Sequence, residues 1–339
     1  MLYVGLDIHI KFIVFCVLNT SGQIVHQGRV RGLDLLLQWF KRLDQPFEVA
    51  YEASCGYGRY YEALSAVAAR VVAAHPGKLT YSKRKNDQAD AEMLAKLLLV
   101  HMLPAVHIPS AAVRAWRETI TFRRHLVEKR TRAKNEVRAM LRTIGEKAPP
   151  RPGLWTQLGM DWLKHLELSE PMQALRRDIL VQEIESLTGH IELTEKKLDE
   201  FAKESPEVML LRSVPGVGMR TAEAMVAFVD DPHRFGRAKS VGSYFGLVPS
   251  QDQSGSKNRL GRITKDGSAT VRQLLTEAAW QGIRRSPTIR AFFQRVQRSD
   301  PGRKRIALTA TAHYLARVMW SMLRNGTFWK ETPTQTMEA

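Results

Sequence analysis

"FIVFCVLNTSGQIVHQGRV", residues Phe12 to Val30, decides the fold of the first third of the chain. It reads as two β-strands joined at Ser21-Gly22, a dipeptide suited to a hairpin turn. The run before it, "LYVGLDIH", is short and apolar and ends near Asp7. After it, "GLDLLLQWFKRL" has helical spacing, and "PFEVAYEAS" is a strand ending around Glu52. "GRYYEALSAVAA" reads as a helix, "RVVAAH" as a short buried strand, and "DQADAEMLAKLLLV" as a helix with Ala, Leu and Met on one side. A hairpin followed by alternating helices and strands predicts an α/β domain, a mixed sheet flanked by helices.

The pattern changes at Ser110. "SAAVRAWRETITFRRHLVEKRTRAKNEVRAMLRT" predicts one helix to Thr143, with a broken apolar stripe and a surplus of cations that includes Arg123, Arg124, Arg130 and Arg138. "GEKAPPRPG" breaks it with three prolines and two glycines. A second long helix is expected from about Pro171 to Lys203, with charges of both signs, as in a coiled-coil partner. The expected division is 1-109, 110-204, 205-330 and a tail at 331-339.

The 339 residues carry 51 Lys and Arg against 34 Asp and Glu, a formal charge of +17. Such an excess favours a polyanion, because each cation near a phosphate releases counterions. No apolar run is long enough to span a bilayer, so no membrane partner is expected. The start lacks the pattern of a secretion signal, and Cys16 and Cys55 form no disulfide framework or zinc spacing, which fits a reducing cytoplasm.

Asp7 and Glu52 end strands, and Asp87 and Asp90 open a helix three residues apart, on one face. Four carboxylates in one pocket repel: two unit charges about 4 Å apart cost roughly 4 kcal/mol at an effective dielectric near 20. Such a cluster calls for divalent cations, and Mg²⁺ takes hard oxygen ligands. Two ions about 3.5–4 Å apart can stabilise both oxygens of a phosphodiester cleavage. Asp87 also reads as an N-cap with Asp90 in the first turn; a cap can equally be a ligand. Lys83, Arg84 and Lys85 just before the pair are candidate contacts for the strand being cut.

"LLRSVPGVGMRTAEAMV" has Gly216 and Gly218 ahead of a new helix. Glycines and a helix N-terminus can hold a nucleic-acid backbone in a helix-hairpin-helix manner, or form a tight turn between helices. Further on, Phe235 to Phe245 reads as a short helix. A polar loop follows, with Ser250, Ser254, Ser256, Lys257, Arg259, Arg262 and Lys265, before a helix near Ser268. Cations there can stabilise charge on a phosphate. Taken alone, Ser254-Gly255 is ordinary turn chemistry, and no adjacent histidine marks a Ser-His pair.

In order and spacing, "VGLDIHIKF", "YEASCGYG", "KNDQADAEMLA", "VPGVGMRTA", "YFGLVPSQDQSGSKNRLGRITKDGSATVRQLLTEAA" and "ALTATAHYLARVMWSMLRNG" resemble the DEDD-type transposases of bacterial insertion sequences. The resemblance implies an RNase-H-like N-terminal domain whose Asp7, Glu52, Asp87 and Asp90 bind Mg²⁺. It implies a C-terminal domain with a catalytic serine, here matched by Ser254, with Ser256 and Ser250 as alternatives. It further implies donor and target DNA as partners, a structured bridge RNA as guide, a phosphoserine link, and a homo-oligomer, dimer to tetramer. The compartment implied is the bacterial cytoplasm, at the nucleoid. Two rivals remain: a metal-dependent nuclease or Holliday-junction resolvase that uses water, and a non-enzymatic RNA- or DNA-binding scaffold.

Overall fold

The computed structural model describes residues 1–54, 56–79, 86–149, 151–254 and 257–331, without the side chains of residues 257 and 258. The expectations on Lys83, Arg84, Lys85 and Ser256, and on the Lys257 side chain, fall outside the described residues. The chain forms two compact units, Met1–Ala112 and Val113–Ala339.

The first unit is a five-stranded mixed sheet. Its elements run β1 (Leu2–Ile8), β2 (Ile13–Leu18), β3 (Ile24–Val30), α1 (Leu33–Phe40), β4 (Phe47–Glu52), α2 (Tyr57–Ser65), β5 (Arg70–Ala74) and α3 (Asp87–Leu99). The strand order is β3-β2-β1-β4-β5, with the first three antiparallel and β1, β4 and β5 parallel. This is the expected mixed sheet, and its arrangement is consistent with an RNase-H-like domain. The hairpin turn forms where the sequence placed it: Gly22 takes φ 77°, and Asn19 Oδ1 accepts from the N–H of Ser21 and Gln23. On one face, Val4, Leu6, Val49 and Tyr51 pack on Leu33, Leu36 and Phe40 of α1 and Leu64 of α2. On the other, α3 lays Ala91, Leu94, Ala95 and Leu98 over the sheet, a spacing that fills one helical stripe.

Gly5 sets how closely α3 approaches. A Cβ there would stand 1.9 Å from the Ala91 carbonyl oxygen and 2.5 Å from the Ala95 nitrogen, both backbone atoms. With alanines on the helix and glycine on the strand, the two backbones nearly touch. Gly5→Ala is therefore expected to push α3 off β1 at a cost of about 3 kcal/mol, the upper end of ordinary overpacking. Faster amide exchange across β1 and α3 would register it; unchanged exchange would contradict it.

The second unit is almost wholly helical: α4 (Ala111–Ile144), α5 (Gln157–His165), α6 (Pro171–Lys203), α7 (Pro206–Leu211), α8 (Met219–Val229), α9 (Ala238–Tyr244), α10 (Ala269–Arg285), α11 (Pro287–Gln297) and α12 (Lys304–Asn325). A ribbon, β6 (Pro249–Ser254) with β7 (Lys257–Ile263), interrupts it. The long helices α4 and α6 run antiparallel and join through Leu126, Leu187 and Ile191, then through Val137, Met140, Leu180 and Ile184. Helices α7 to α12 close over Leu211, Met225, Phe245, Leu275, Leu315 and Met319. Among the described residues no helix is long and apolar enough to cross a membrane.

Candidate active site

Parallel pairing of β1 with β4 puts Leu6 opposite Tyr51, so Asp7 and Glu52 follow side by side at the carboxyl ends of neighbouring strands. Both extend the face that α3 covers, since Gly5 and Ala50, two residues earlier, meet that helix. The start of α3 brings Asp87 to the same edge. One ligand atom each from Asp7, His9 and Asp87 lies within 4.8 Å of the others. His9 Nε2 is 3.0 Å from Asp7 Oδ2 and 3.4 Å from Asp87 Oδ2. Burial pushes the Asp7 carboxyl above its usual range; His9 opposes this, and the like charges of Asp87 and Glu52 add to it. A partly buried carboxylate facing two further acids belongs to a donor set suited to a hard divalent cation.

Asp87 is not the N-cap. Asn86 caps α3, its side chain accepting from Gln88 N–H, and Asp87 is the first helical residue. The cap frees the Asp87 carboxylate to face Asp7 and His9. Asp90, in the same first turn, lies outside the Asp7–His9–Asp87 group, as does Glu52, which acts on Asp7 through its charge. His9 is the residue that sequence reading missed. It follows Asp7 by two positions, a signal visible in "DIH", but its role depends on where α3 begins.

The polar stretch expected as a loop is a β-ribbon, in which Ser254 pairs with Lys257 and Asp252 with Arg259. Every residue of β6 is exposed, so no apolar alternation announced it. Ser254 ends β6 at the exposed tip, with Arg259 and Arg262 exposed on β7. Ser250 Oγ lies over Gly261, where a Cβ would approach it to 2.3 Å. The base of the ribbon is held tightly. Arg272 donates to the carbonyls of Phe245, Asp266 and Gly267 at 3.2, 2.6 and 3.1 Å. Gly246, at φ 63°, leaves no room for a Cβ beside Asp266. Lys265 sits at this base with φ 61°.

The two glycines of the hairpin differ. A Cβ on Gly216, at φ 92°, would strike the backbone of Gly282 and Ala278 in α10, so this glycine answers to helix packing. Gly218 precedes α8 with open space where its Cβ would stand. The start of α8 holds Arg220, with Glu223 one turn further along the same face. Arg220 bonds Asp199 of α6 and lies 3.0 Å from Glu223, which is 1% exposed. Burial pushes the Glu223 carboxyl up to about 7; Arg220 and Arg123 oppose this, while Asp199 and Glu195 add to it. A carboxyl raised in the folded state stabilises at low pH, and that contribution is lost as pH rises through the raised value. Stability of this unit is expected to fall by roughly 3 kcal/mol between about pH 4.5 and pH 7 from this group. Glu223→Gln should flatten the Tm-against-pH curve there; an unaltered slope would refute the assignment.

The cations of α4 are divided between jobs. Arg117 donates to the carbonyls of Ala227 and Phe228 at the end of α8. Arg123 pairs with Glu195 of α6, Arg124 with Glu128, and Arg130 reaches Thr188 Oγ1 at 3.3 Å. Arg138 bonds Asn135 and lies over the Trp155 ring.

A transposase family model of the DEDD, IS110 type matches residues 4–146, the span that carries Asp7, Glu52, Asp87 and Asp90. The model "Transposase IS116/IS110/IS902 family" matches residues 208–294, which carry the glycine hairpin and the serine ribbon. The chain is 28% identical over 306 residues to a "Probable family 20 transposase" of Pseudomonas aeruginosa, covering 86% of this chain and 88% of that protein. It is 24% identical to the "Transposase for insertion sequence element IS1111A" of Coxiella burnetii, covering 94% and 88%. A "Pilin gene-inverting protein" of Moraxella lacunata is 28% identical over 117 residues, 34% of this chain and 36% of that one.

Proposed function

This chain belongs to the IS110-type DEDD transposases, enzymes of bacterial insertion sequences that cleave and rejoin DNA, and on that premise we propose that it works by Mg²⁺-dependent, RNA-guided strand exchange through a phosphoserine link. The observation that carries the reading is the convergence of Asp7, Asp87 and Glu52 at one sheet edge, within the span matched by the DEDD transposase model.

Asp7, Asp87 and Glu52 would hold the metal, with Asp90 one turn along α3. Divalent metal use is implied by the family, and the oxygen-rich donor set supports Mg²⁺, as one or two ions. A bound ion supplies Lewis acidity at the scissile phosphate. His9, hydrogen-bonded to Asp7, holds that carboxylate in place and can carry a proton at Nε2. Ser254 Oγ forms a bond to phosphorus as the bond to a deoxyribose oxygen breaks. The serine gives up its proton, the leaving oxygen takes one, and the diester energy is kept for rejoining. Arg259, Arg262 and Lys265 neutralise the phosphate, with Lys257 as a further candidate. Gly218 and the start of α8 offer backbone N–H groups to a DNA or RNA strand.

Donor and target DNA are the substrates, and a structured bridge RNA pairing with both would choose them. The working form we infer is a homodimer or tetramer in which one subunit's carboxylates act with another's serine. Likeness to a protein named for inverting a gene supports rejoining over simple cutting.

The test incubates the protein with element-end DNA, RNA transcribed from the element's non-coding flank, and Mg²⁺, then quenches in denaturant. A covalent protein–DNA band that needs both metal and RNA is expected. Cut DNA with no such band would overturn the serine route in favour of a water nucleophile.

A further inference from the structure

Where α4 ends, the second unit holds an open cavity of about 570 Å³, inside the range of roughly 300–1,000 Å³ typical of small-ligand sites. Its walls combine the Trp155 indole, the apolar sides of Leu141, Ala148 and Leu154, the polar heads of Asn135, Arg138 and Arg142, and one carboxylate, Glu146. Lys134 and Arg138 stand 5.0 and 5.1 Å from the Trp155 ring centroid. Lys134, beside the ring, is held below the usual lysine range, by burial first and then by Arg130 and Arg138. The Trp155 Nε1–H is buried and has no hydrogen-bond partner among the described residues.

A flat aromatic and two guanidinium groups share one cavity. We propose that this cavity takes an unpaired nucleotide, with its base against Trp155 and its phosphate between Arg138 and Arg142. Stacking on an aromatic ring needs no particular base, and the arginines supply both charge and further planar surface. A duplex offers no exposed base face to the cavity, so the site selects unpaired strand: a loop or bulge of RNA, or single-stranded DNA. This rests on the reading of the chain as a nucleic-acid enzyme, but on none of the catalytic residues.

The experiment measures binding of the full chain to short fluorescein-labelled strands by anisotropy: single-stranded RNA, DNA of the same sequence, the duplex, and a single strand with abasic sites. Trp155→Ala is expected to weaken single-strand binding by roughly 5- to 100-fold, the range for one lost base stack, and to leave duplex binding unchanged. Trp155→Phe should restore most of it. The abasic strand on the unaltered protein should show a similar loss, which separates recognition from any folding defect in the alanine variant. The stronger of the RNA and DNA responses identifies the strand. Equal affinity of the intact and abasic strands, or equal loss on single strand and duplex, overturns the proposal. Failure of the unaltered protein to bind any strand would instead sink the functional reading beneath it.

Discussion

Ser254→Ala is expected to abolish the covalent protein–DNA adduct and to cut strand exchange by about 10³-fold or more, since removing a nucleophile commonly costs at least that much. DNA and RNA binding should stay within about twofold, because an exposed side chain that leaves no buried partner behind disturbs little else. The ribbon itself should survive, because its hold on the domain lies at the other end. Arg272 ties together Phe245, Asp266 and Gly267 at the base, and Gly246 and Gly267 pack there without room for a Cβ. Ser250→Ala is the control. Its Oγ lies against Gly261 inside the ribbon, so its loss should leave the adduct intact. An adduct that persists in Ser254→Ala and disappears in Ser250→Ala or Ser256→Ala would move the nucleophile to that serine. Persistence in all three would end the serine mechanism.

Asp7→Asn is the second large effect, and its two consequences have opposite signs. Asp7 stands at the centre of the acidic edge, bonded to His9 and acted on by Asp87 and Glu52. Without its charge the site loses a ligand, and cleavage should fall by about 10³-fold or more, on the order of 4 kcal/mol of barrier. Calorimetric titration of Mg²⁺ or Mn²⁺ gives a readout independent of turnover, and saturable binding should disappear. The metal-free protein, in contrast, should gain thermal stability near neutral pH. Burial and like charges raise the Asp7 carboxyl in the folded state, so it favours folding while protonated and opposes it once ionised. Asparagine keeps the shape and removes the charge. Unchanged metal binding together with unchanged Tm would show that Asp7 is a structural strand-end residue.

Family membership answers the scaffold reading, since these proteins are enzymes. The water-using nuclease is separated from the serine route by the adduct alone. The metal site tolerates either nucleophile, which is why the ribbon needs its own test.

Much of the fold was legible because periodicity reports burial. β1, β2 and β4 are buried on both faces and read as apolar runs, and α4 and α6 carry stripes long enough to mark their ends within a residue or two. The β6–β7 ribbon was not legible for the same reason: β6 is wholly exposed, so nothing in its side chains alternates. The cap of α3 was misplaced by one residue. Asn86 and Asp87 are both good caps, and only backbone geometry chose Asn86.

The sequence by itself determined which residues could be ligands: two strand-end acids and an acidic pair at a helix start, in an order that fits one family. It could not say which of them meet. Tertiary structure decided that through close packing: with no Cβ on Gly5, α3 settles on β1 until Asp87 reaches Asp7 and draws in His9, which no pattern had marked. It likewise assigned Gly216 to packing against α10 and turned several α4 cations toward neighbouring helices. Periodicity reflects which side of an element is dry; contact between distant residues depends on how near two backbones can come, and that is written in both elements at once.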